Sequence, residues 1–227
     1  MALTTGVNVM SLKTLGKCIW LVLTMEALSV AGGAKMAEGN ALEVKVSVFN
    51  DAQIGDGRLT RAERVASELF AHAGIQIDWM NCGDPTETDE ERRACSEAAS
   101  PKHLQVRVRQ QSLTLKESTL GLSYLGEGGI GCHADVFYAG IGPIAQEAHL
   151  SSETILGLVF AHELGHLLLG TNSHSASGIM RATWQRQELS AAGKGALGFT
   201  EIQGRRMKAR FEARPLPIEP VGASLSR

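Results

Sequence analysis

The chain has few of the features that mark several large classes of protein. No cluster of lysine and arginine is dense enough to suggest a nucleic-acid-binding surface, and the formal net charge is only −2. No internal repeat indicates a solenoid or an array. After residue 34, no apolar run is long enough to cross a bilayer. The remainder of the 227 residues forms one ordinary domain that is able to bury its own core.

Residues 1–34 have the order of a secretory signal peptide. Two lysines come first, an apolar stretch at 18–31 follows, and small residues end the segment. Glu26 interrupts the apolar stretch, so an uncleaved membrane anchor is the alternative. We therefore expect a secreted or periplasmic protein, with a mature domain at 35–214 and a loose, proline-containing tail at 215–227.

The chain contains four cysteines, of which Cys18 lies in the predicted signal peptide. Cys82 and Cys95 stand near the two ends of a polar stretch, 82–101, which we interpret as a loop. In an exported protein these two would most naturally form a disulfide that closes the loop. Cys132 is then left over, either as a buried thiol or as a substitute for one of the two partners.

The most informative stretch is an apolar run, 155–169, that contains His162, Glu163 and His166. Serines directly before the run can cap a helix, and three such polar groups are costly in a buried helix unless something binds them. His162 and His166 are four residues apart, so they project from one helix face and can hold one metal ion. Glu163 is then placed to act as a general base. This is the HExxH pattern of zinc peptidases; the alternative is a helix with two hydrogen-bonded core histidines.

A catalytic zinc needs a third protein ligand. Gly170 can end the helix, and the whole segment, HELGHLLLGTNSH followed by SASGIM, resembles the metzincin zinc endopeptidases. Their pattern is HExxHxxGxxH followed by a methionine turn; here the glycine comes one residue later and the last histidine two residues later. The resemblance implies that His174 is the third zinc ligand and that Met180 lies below the metal. Glu188 is the competing third ligand.

Alternating and periodic patterns predict the remaining elements. A capping box of Thr60 and Glu63 predicts the start of a helix, and Thr200 with Gln203 predicts the start of a last one. The expected strands are 42–49, 75–80, 104–109, 120–125 and 134–138.

The order of these elements also resembles a metzincin domain. The resemblance implies an α+β fold: a mixed, mostly parallel twisted sheet with an antiparallel edge strand, a backing helix and an active-site helix. In that family the edge strand pairs with substrate, which here assigns the cleft to Leu120, Gly121, Leu122, Ser123 and Tyr124. Trp184, which follows the methionine turn, would wall the substrate pocket.

We therefore expect a secreted, monomeric zinc endopeptidase that cleaves peptide or protein substrates with a zinc-activated water and Glu163 as general base. Neither nucleic acid nor a membrane span of the mature chain is expected. Two other classes remain open: a non-catalytic zinc-binding module, and a zinc amidase acting on a non-protein amide such as one in a cell wall.

Overall fold

The computed structural model describes residues 41–83, 88–96, 100, 102–111 and 119–213. The predicted signal peptide and the predicted C-terminal tail lie outside these ranges. None of the helices within them is long and apolar enough to cross a bilayer.

Eleven principal elements follow one another along the described chain. They are β1 (Leu42–Asn50), α1 (Asp56–His72), β2 (Ile75–Cys82), α2 (Asp89–Ser96), β3 (His103–Arg109), β4 (Gly121–Tyr124), β5 (His133–Phe137), α3 (Ile141–Ala148), α4 (Ser152–Leu169), α5 (Arg186–Gly193) and α6 (Glu201–Glu212).

The five strands form one sheet in the order β2-β1-β3-β5-β4. β1 pairs in parallel with β2 and with β3, and β3 pairs in parallel with β5. β4 runs antiparallel to β5 and lies at one edge of the sheet. The predicted α+β class, with a mostly parallel sheet and an antiparallel edge strand, is therefore confirmed.

The main core lies on one face of this sheet. Successive strand residues point to opposite faces, and Val44, Val46 and Val48 of β1 all point to the core, where none is exposed. Helices α1 and α4 pack against each other, and α4 also packs against β4 and β5. The end of the sheet that carries the antiparallel strand is thereby held beside α4.

Helix α1 begins earlier than predicted, and the proposed capping box of Thr60 and Glu63 is wrong. The helix starts after Gly55, with Asp56 in its first turn, where a carboxylate favours the helix dipole. Leu59 is already part of the buried face, and Glu63 is buried rather than turned back to a helix end. The apolar stripe therefore extends one turn further than the cap pattern indicated.

Part of the polar stretch after β2, which was predicted to be a loop, forms helix α2. Thr88 and Glu91 form a capping box: the Glu91 carboxylate accepts from the Thr88 N–H at 2.8 Å, and the Thr88 hydroxyl accepts from the Glu91 N–H at 3.2 Å. The predicted disulfide between Cys82 and Cys95 is confirmed, with their Cα atoms 5.7 Å apart. Cys132 lies half-buried outside that bridge.

The last helix, α6, begins where its sequence pattern predicted. The Thr200 hydroxyl accepts from the Gln203 N–H, and the Gln203 side chain accepts from the Thr200 N–H. Met207 and Phe211 form its buried side, and the helix packs against α4. Helices α3 and α5 were not predicted.

Candidate metal centre and cleft

Helix α4 brings the motif residues to a buried position. Ser151 caps it, since the serine hydroxyl accepts from the Thr154 N–H at 3.0 Å, and Gly170 ends it in a left-handed conformation with φ 65°. Between these ends every residue from 155 to 169 is buried. A helix that is apolar on all sides can be stable only inside the protein, so its polar side chains must find their partners there.

The chain places a third histidine beside the two on α4. His162 and His166 are 8% and 4% exposed, and their Nε2 atoms lie 3.0 Å apart. The turn after Gly170 brings His174, which is exposed, against both rings. One ring nitrogen from each of the three histidines lies within 4.8 Å of the others, and no other group of three such side chains occurs among the described residues.

Backbone carbonyls fix the tautomers of the two buried histidines. The Ile179 carbonyl accepts from His162 Nδ1 at 2.8 Å, and the Thr171 carbonyl accepts from His166 Nδ1 at 2.7 Å. A carbonyl can only accept, so both Nδ1 atoms carry the proton when the rings are neutral, and both Nε2 lone pairs point at the shared space. Burial lowers the pKa of His162 to about 4 and also lowers that of His166, which keeps both rings neutral.

This donor set fits a zinc ion. Two neutral Nε2 lone pairs 3.0 Å apart repel each other unless a proton or a metal lies between them. Zinc–imidazole bonds of about 2.0–2.1 Å in a tetrahedron place two nitrogens about 3.3 Å apart, close to the spacing of His162 and His166. Three imidazoles, two of which have their Nδ1 atoms held by backbone carbonyls, form a donor set that zinc prefers.

Met180 packs against helix α4 at Gly165. It is 1% exposed, and its sulfur occupies the space beside Gly165, the residue before His166. A Cβ at Gly165 would lie 2.6 Å from the Met180 sulfur and 2.9 Å from Phe199 Cε1. The glycine in HELGH therefore leaves room for Met180 to pack against the helix.

Trp184 is bonded to the same carbonyl as the first histidine. Its indole N–H donates to the Ile179 carbonyl at 3.0 Å, the group that also accepts from His162 Nδ1. The indole ring meets the His162 ring edge to face, with centroids 5.8 Å apart. Trp184 thus helps to fix the orientation of His162 as well as lining the cleft.

Glu163 lies on the cleft side of α4 and faces the edge strand β4. It is 6% exposed, and Oε2 is 2.6 Å from the Ser123 hydroxyl. Burial raises the pKa of Glu163 to about 7, while the hydrogen bond from Ser123 lowers it. A Cβ at Gly121 would lie 2.5 Å from both Cγ and Oε1 of the glutamate, so the strand needs a glycine there to approach the carboxylate.

A cleft of about 1080 Å³ joins these groups. Of the predicted cleft residues, Leu120, Gly121, Leu122, Ser123 and Trp184 line it, together with the motif residues His162, Glu163, His166 and His174. Tyr124 lies elsewhere: its hydroxyl donates to Asp135 at 3.0 Å, and its ring packs on His133. Ser123 points to α4, whereas the Tyr124 side chain, one residue further along the strand, points to the other face of the sheet, where it contacts Asp135 and His133.

Glu188, the competing third ligand, is engaged by other groups. Arg181 Nη1 lies 2.9 Å from one of its oxygens, and the Gln185 N–H donates to the other at 2.9 Å. Both hydrogen bonds lower the pKa of Glu188, and the one from Gln185 has the larger effect. The carboxylate is therefore a helix cap and an ion-pair partner, and the geometry favours His174 as the third ligand.

Three features of the site were not anticipated from the sequence: the hydrogen bond of Ser123, the close approach at Gly121, and the carbonyls of Ile179 and Thr171. The carbonyls are backbone groups, which leave no mark on residue type. Glycine inside a strand does signal a close approach, so Gly121 carried a readable clue, although not the identity of its neighbour.

No protein-family model and no curated protein matches the chain. Among solved structures, a zinc-dependent peptidase from Methanocorpusculum labreanum is similar, with a TM-score of 0.48 and 13% identity over 71% of this chain and 99% of that one. Metalloproteinase-II from Bacteroides fragilis is also similar, with a TM-score of 0.47 and 13% identity over 75% of this chain and 53% of that one.

Proposed function

We propose that this protein is a secreted zinc-dependent endopeptidase in which His162, His166 and His174 hold the metal and Glu163 is the general base. One observation carries the proposal: three histidine nitrogens lie within 4.8 Å of one another at the wall of a cleft that Glu163 also lines. A cluster of this kind in a cleft is an arrangement expected of a catalytic centre.

The chemistry is amide hydrolysis. Zinc, when bound, lowers the pKa of a water molecule and polarises the scissile carbonyl. Glu163 removes a proton from the attacking water and passes it to the amine nitrogen as the C–N bond breaks. A pKa of about 7 for Glu163 suits a group that must accept a proton and give it up near neutral pH.

The edge of the sheet supports an extended peptide as substrate. β4 is the last strand in the sheet order, and its residues Gly121, Leu122 and Ser123 line the cleft. An edge strand presents N–H and C=O groups that can pair with another extended chain. Such pairing would hold a peptide along the strand, with a scissile bond near the histidines.

Two further observations support export and catalysis. The Cys82–Cys95 disulfide is typical of an oxidising compartment, which agrees with the predicted signal peptide. A zinc site that served stability alone would have no use for a buried glutamate beside its ligands, and Glu163 is such a residue. Catalysis is therefore the better account of the site than a structural zinc module.

The proposal is tested by digestion assays on the purified mature protein. Zinc is first removed with a chelator and then restored, and both forms are incubated with a library of unstructured peptides whose products are measured by mass spectrometry. We expect cleavage within the peptides only in the zinc-restored form. Cleavage of non-protein amides alone would mean that the protein is an amidase rather than a peptidase. If the zinc-loaded protein hydrolyses neither class of substrate, the assignment as an enzyme is wrong.

A further inference from the structure

The hydroxyl of Ser123 makes an unusual pair of contacts with a single residue. Its Oγ lies 2.6 Å from Glu163 Oε2 and 2.8 Å from the Glu163 backbone oxygen. The two residues are 40 positions apart in the chain, and both are buried, with Ser123 5% exposed. The edge strand β4 therefore contributes a side chain that binds the general base directly.

A hydroxyl has one proton to donate and two lone pairs with which to accept. When the Glu163 carboxylate is ionised, the Ser123 hydroxyl can donate to Oε2. After the glutamate has taken a proton from water, its O–H can donate to Ser123 Oγ, while the serine proton turns to the Glu163 backbone oxygen. The hydroxyl thus has a partner in each state of the base, without movement of heavy atoms.

The strand and the helix are fitted closely around this contact. Gly121, two residues before Ser123 on the same side of β4, leaves room for the Glu163 side chain, whose Oε1 would lie 2.5 Å from a Cβ there. Oε2 is held by the serine, and no hydrogen bond to Oε1 is formed among the described residues. The carboxylate is therefore fixed through one oxygen, and the other is left for the reacting water.

We propose that Ser123 is a positioning residue for Glu163: its hydroxyl holds Oε2 so that Oε1 is presented to the reacting water. This inference rests on the proposed function, since it concerns the base of that reaction. Ser123 acts through Glu163 and does not itself touch the reacting atoms.

A second buried serine provides a matched control. The Ser47 hydroxyl lies 2.7 Å from His103 Nε2, and Ser47 is fully buried on β1. It follows Val46, which points to the core, so Ser47 points to the opposite face of the sheet from α4. Loss of either hydroxyl removes buried side-chain hydrogen bonding, but only the Ser123 hydroxyl contacts Glu163.

The test compares Ser123→Ala, Ser123→Thr and Ser47→Ala with the wild type, all loaded with zinc and checked for equal metal content. We expect Ser123→Ala to lower kcat about 10- to 100-fold, the range for groups that orient catalytic ligands. KM should change little, because the contact acts on the base and not on substrate binding. Ser123→Thr keeps the hydroxyl and should restore most of kcat, and Ser47→Ala should leave kcat at the wild-type value while lowering the melting temperature.

A second measurement needs no turnover. Acetohydroxamate chelates zinc and carries an acidic proton that a neighbouring carboxylate can accept, so its Kd reports the placement of Glu163. Ser123→Ala should weaken its binding about 10-fold, Glu163→Gln should weaken it at least as much, and Ser47→Ala should not.

The two proposals fail in different ways. If the wild type hydrolyses no amide, the proposed function is wrong, and the acetohydroxamate series still decides the role of Ser123. If the wild type is active and Ser123→Ala matches it in both kcat and acetohydroxamate affinity, the positioning role is wrong and the peptidase assignment stands. A wild type that binds no zinc would overturn both.

Discussion

Two glutamates of this protein, Glu63 and Glu163, are buried alike and yet have different surroundings. They are 5% and 6% exposed, and burial raises the pKa of each to about 7. Glu63 lies on α1 facing β2, where one oxygen is 3.5 Å from the Asn81 amide and the other has no hydrogen-bond partner among the described residues. Glu163 lines the cleft and accepts a hydrogen bond from Ser123 at 2.6 Å.

Burial and a raised pKa therefore do not identify a catalytic carboxylate by themselves. Both properties follow from removing a charge from water, and they arise wherever a glutamate is enclosed. What sets Glu163 apart is its position beside converging imidazoles, at the wall of a cleft that a substrate can enter. The predictions below test that difference, starting with the largest effect.

Replacing each glutamate by glutamine should separate the two most clearly. Glu163→Gln removes the proton acceptor, so we expect kcat to fall about 10²- to 10⁴-fold, the usual contribution of a general base, with zinc content unchanged. Glu63→Gln should keep the wild-type kcat, because the residue neither lines the cleft nor belongs to the histidine cluster. Steady-state kinetics on a cleaved peptide measures both, and full activity in Glu163→Gln would remove the residue from the mechanism.

A smaller effect is expected when the hydrogen bonding that supports His162 is weakened. Trp184→Phe removes the indole N–H that holds the Ile179 carbonyl, the acceptor of His162 Nδ1. Loss of such a supporting contact should weaken zinc affinity about 10-fold, measured by competition with a chelator.

The control is a second tryptophan, on the same strand as Asn81. Trp79 donates its indole N–H to the Ser67 hydroxyl at 2.7 Å, so Trp79→Phe also loses one indole hydrogen bond. It should leave zinc affinity unchanged. Equal zinc affinities for the two variants would mean that Trp184 does not support the ligand.

Close packing behind the site predicts a loss of stability for Gly165→Ala. The added Cβ would lie 2.6 Å from the Met180 sulfur, and the resulting overpacking should lower the free energy of unfolding by about 1–3 kcal/mol. Gly142→Ala, on α3, meets no atom within 4 Å and should be neutral or slightly stabilising, because alanine favours helices. Denaturant unfolding compares the two variants. A wild-type free energy of unfolding for Gly165→Ala would show that the residues around Gly165 can shift to accept the added methyl group.

The last prediction concerns the pH dependence of stability that Glu63 contributes. Its pKa is about 7 in the folded protein against 4.5 for the ordinary group, so the folded state holds the proton more tightly. Its contribution to stability is present below pH 4.5 and is lost as pH rises towards 7. Glu63→Gln should therefore stabilise the protein relative to wild type by about 3 kcal/mol at pH 8 and by little at pH 4.

Glu68→Gln, at an exposed position on the same helix, provides the reference for this measurement. Unfolding free energies between pH 4 and pH 8 should show the wild-type slope for Glu68→Gln and a changed slope for Glu63→Gln. Identical slopes for the two variants would mean that Glu63 is not desolvated.

Local patterns were sufficient to predict the parts of the site that lie on one element. The spacing of His162 and His166 indicates a shared helix face, and Gly170 marks the helix end, because both depend on neighbours within a few residues. The Thr200–Gln203 capping box and the Cys82–Cys95 bridge were predicted for similar reasons: each depends on a short pattern with a known physical cause.

Contacts between distant elements could not be predicted in this way. Ser123 was placed in the cleft by resemblance, but its bond to Glu163 depends on how closely β4 approaches α4. Tyr124 was assigned to the same cleft, although a single step along the strand turns it to the other face. The start of α1 was misplaced because Glu63 matched a capping pattern, whereas burial against β2 determines where its side chain lies.

The account depends most on three histidines sharing one zinc ion, and the direct test is metal content. Elemental mass spectrometry should find about one zinc per chain in the purified wild type and much less in His174→Ala at the same protein concentration. Circular dichroism would establish that the variant is folded. Equal zinc in the two proteins would show that His174 is not a ligand, and no zinc in either would contradict the metal site itself.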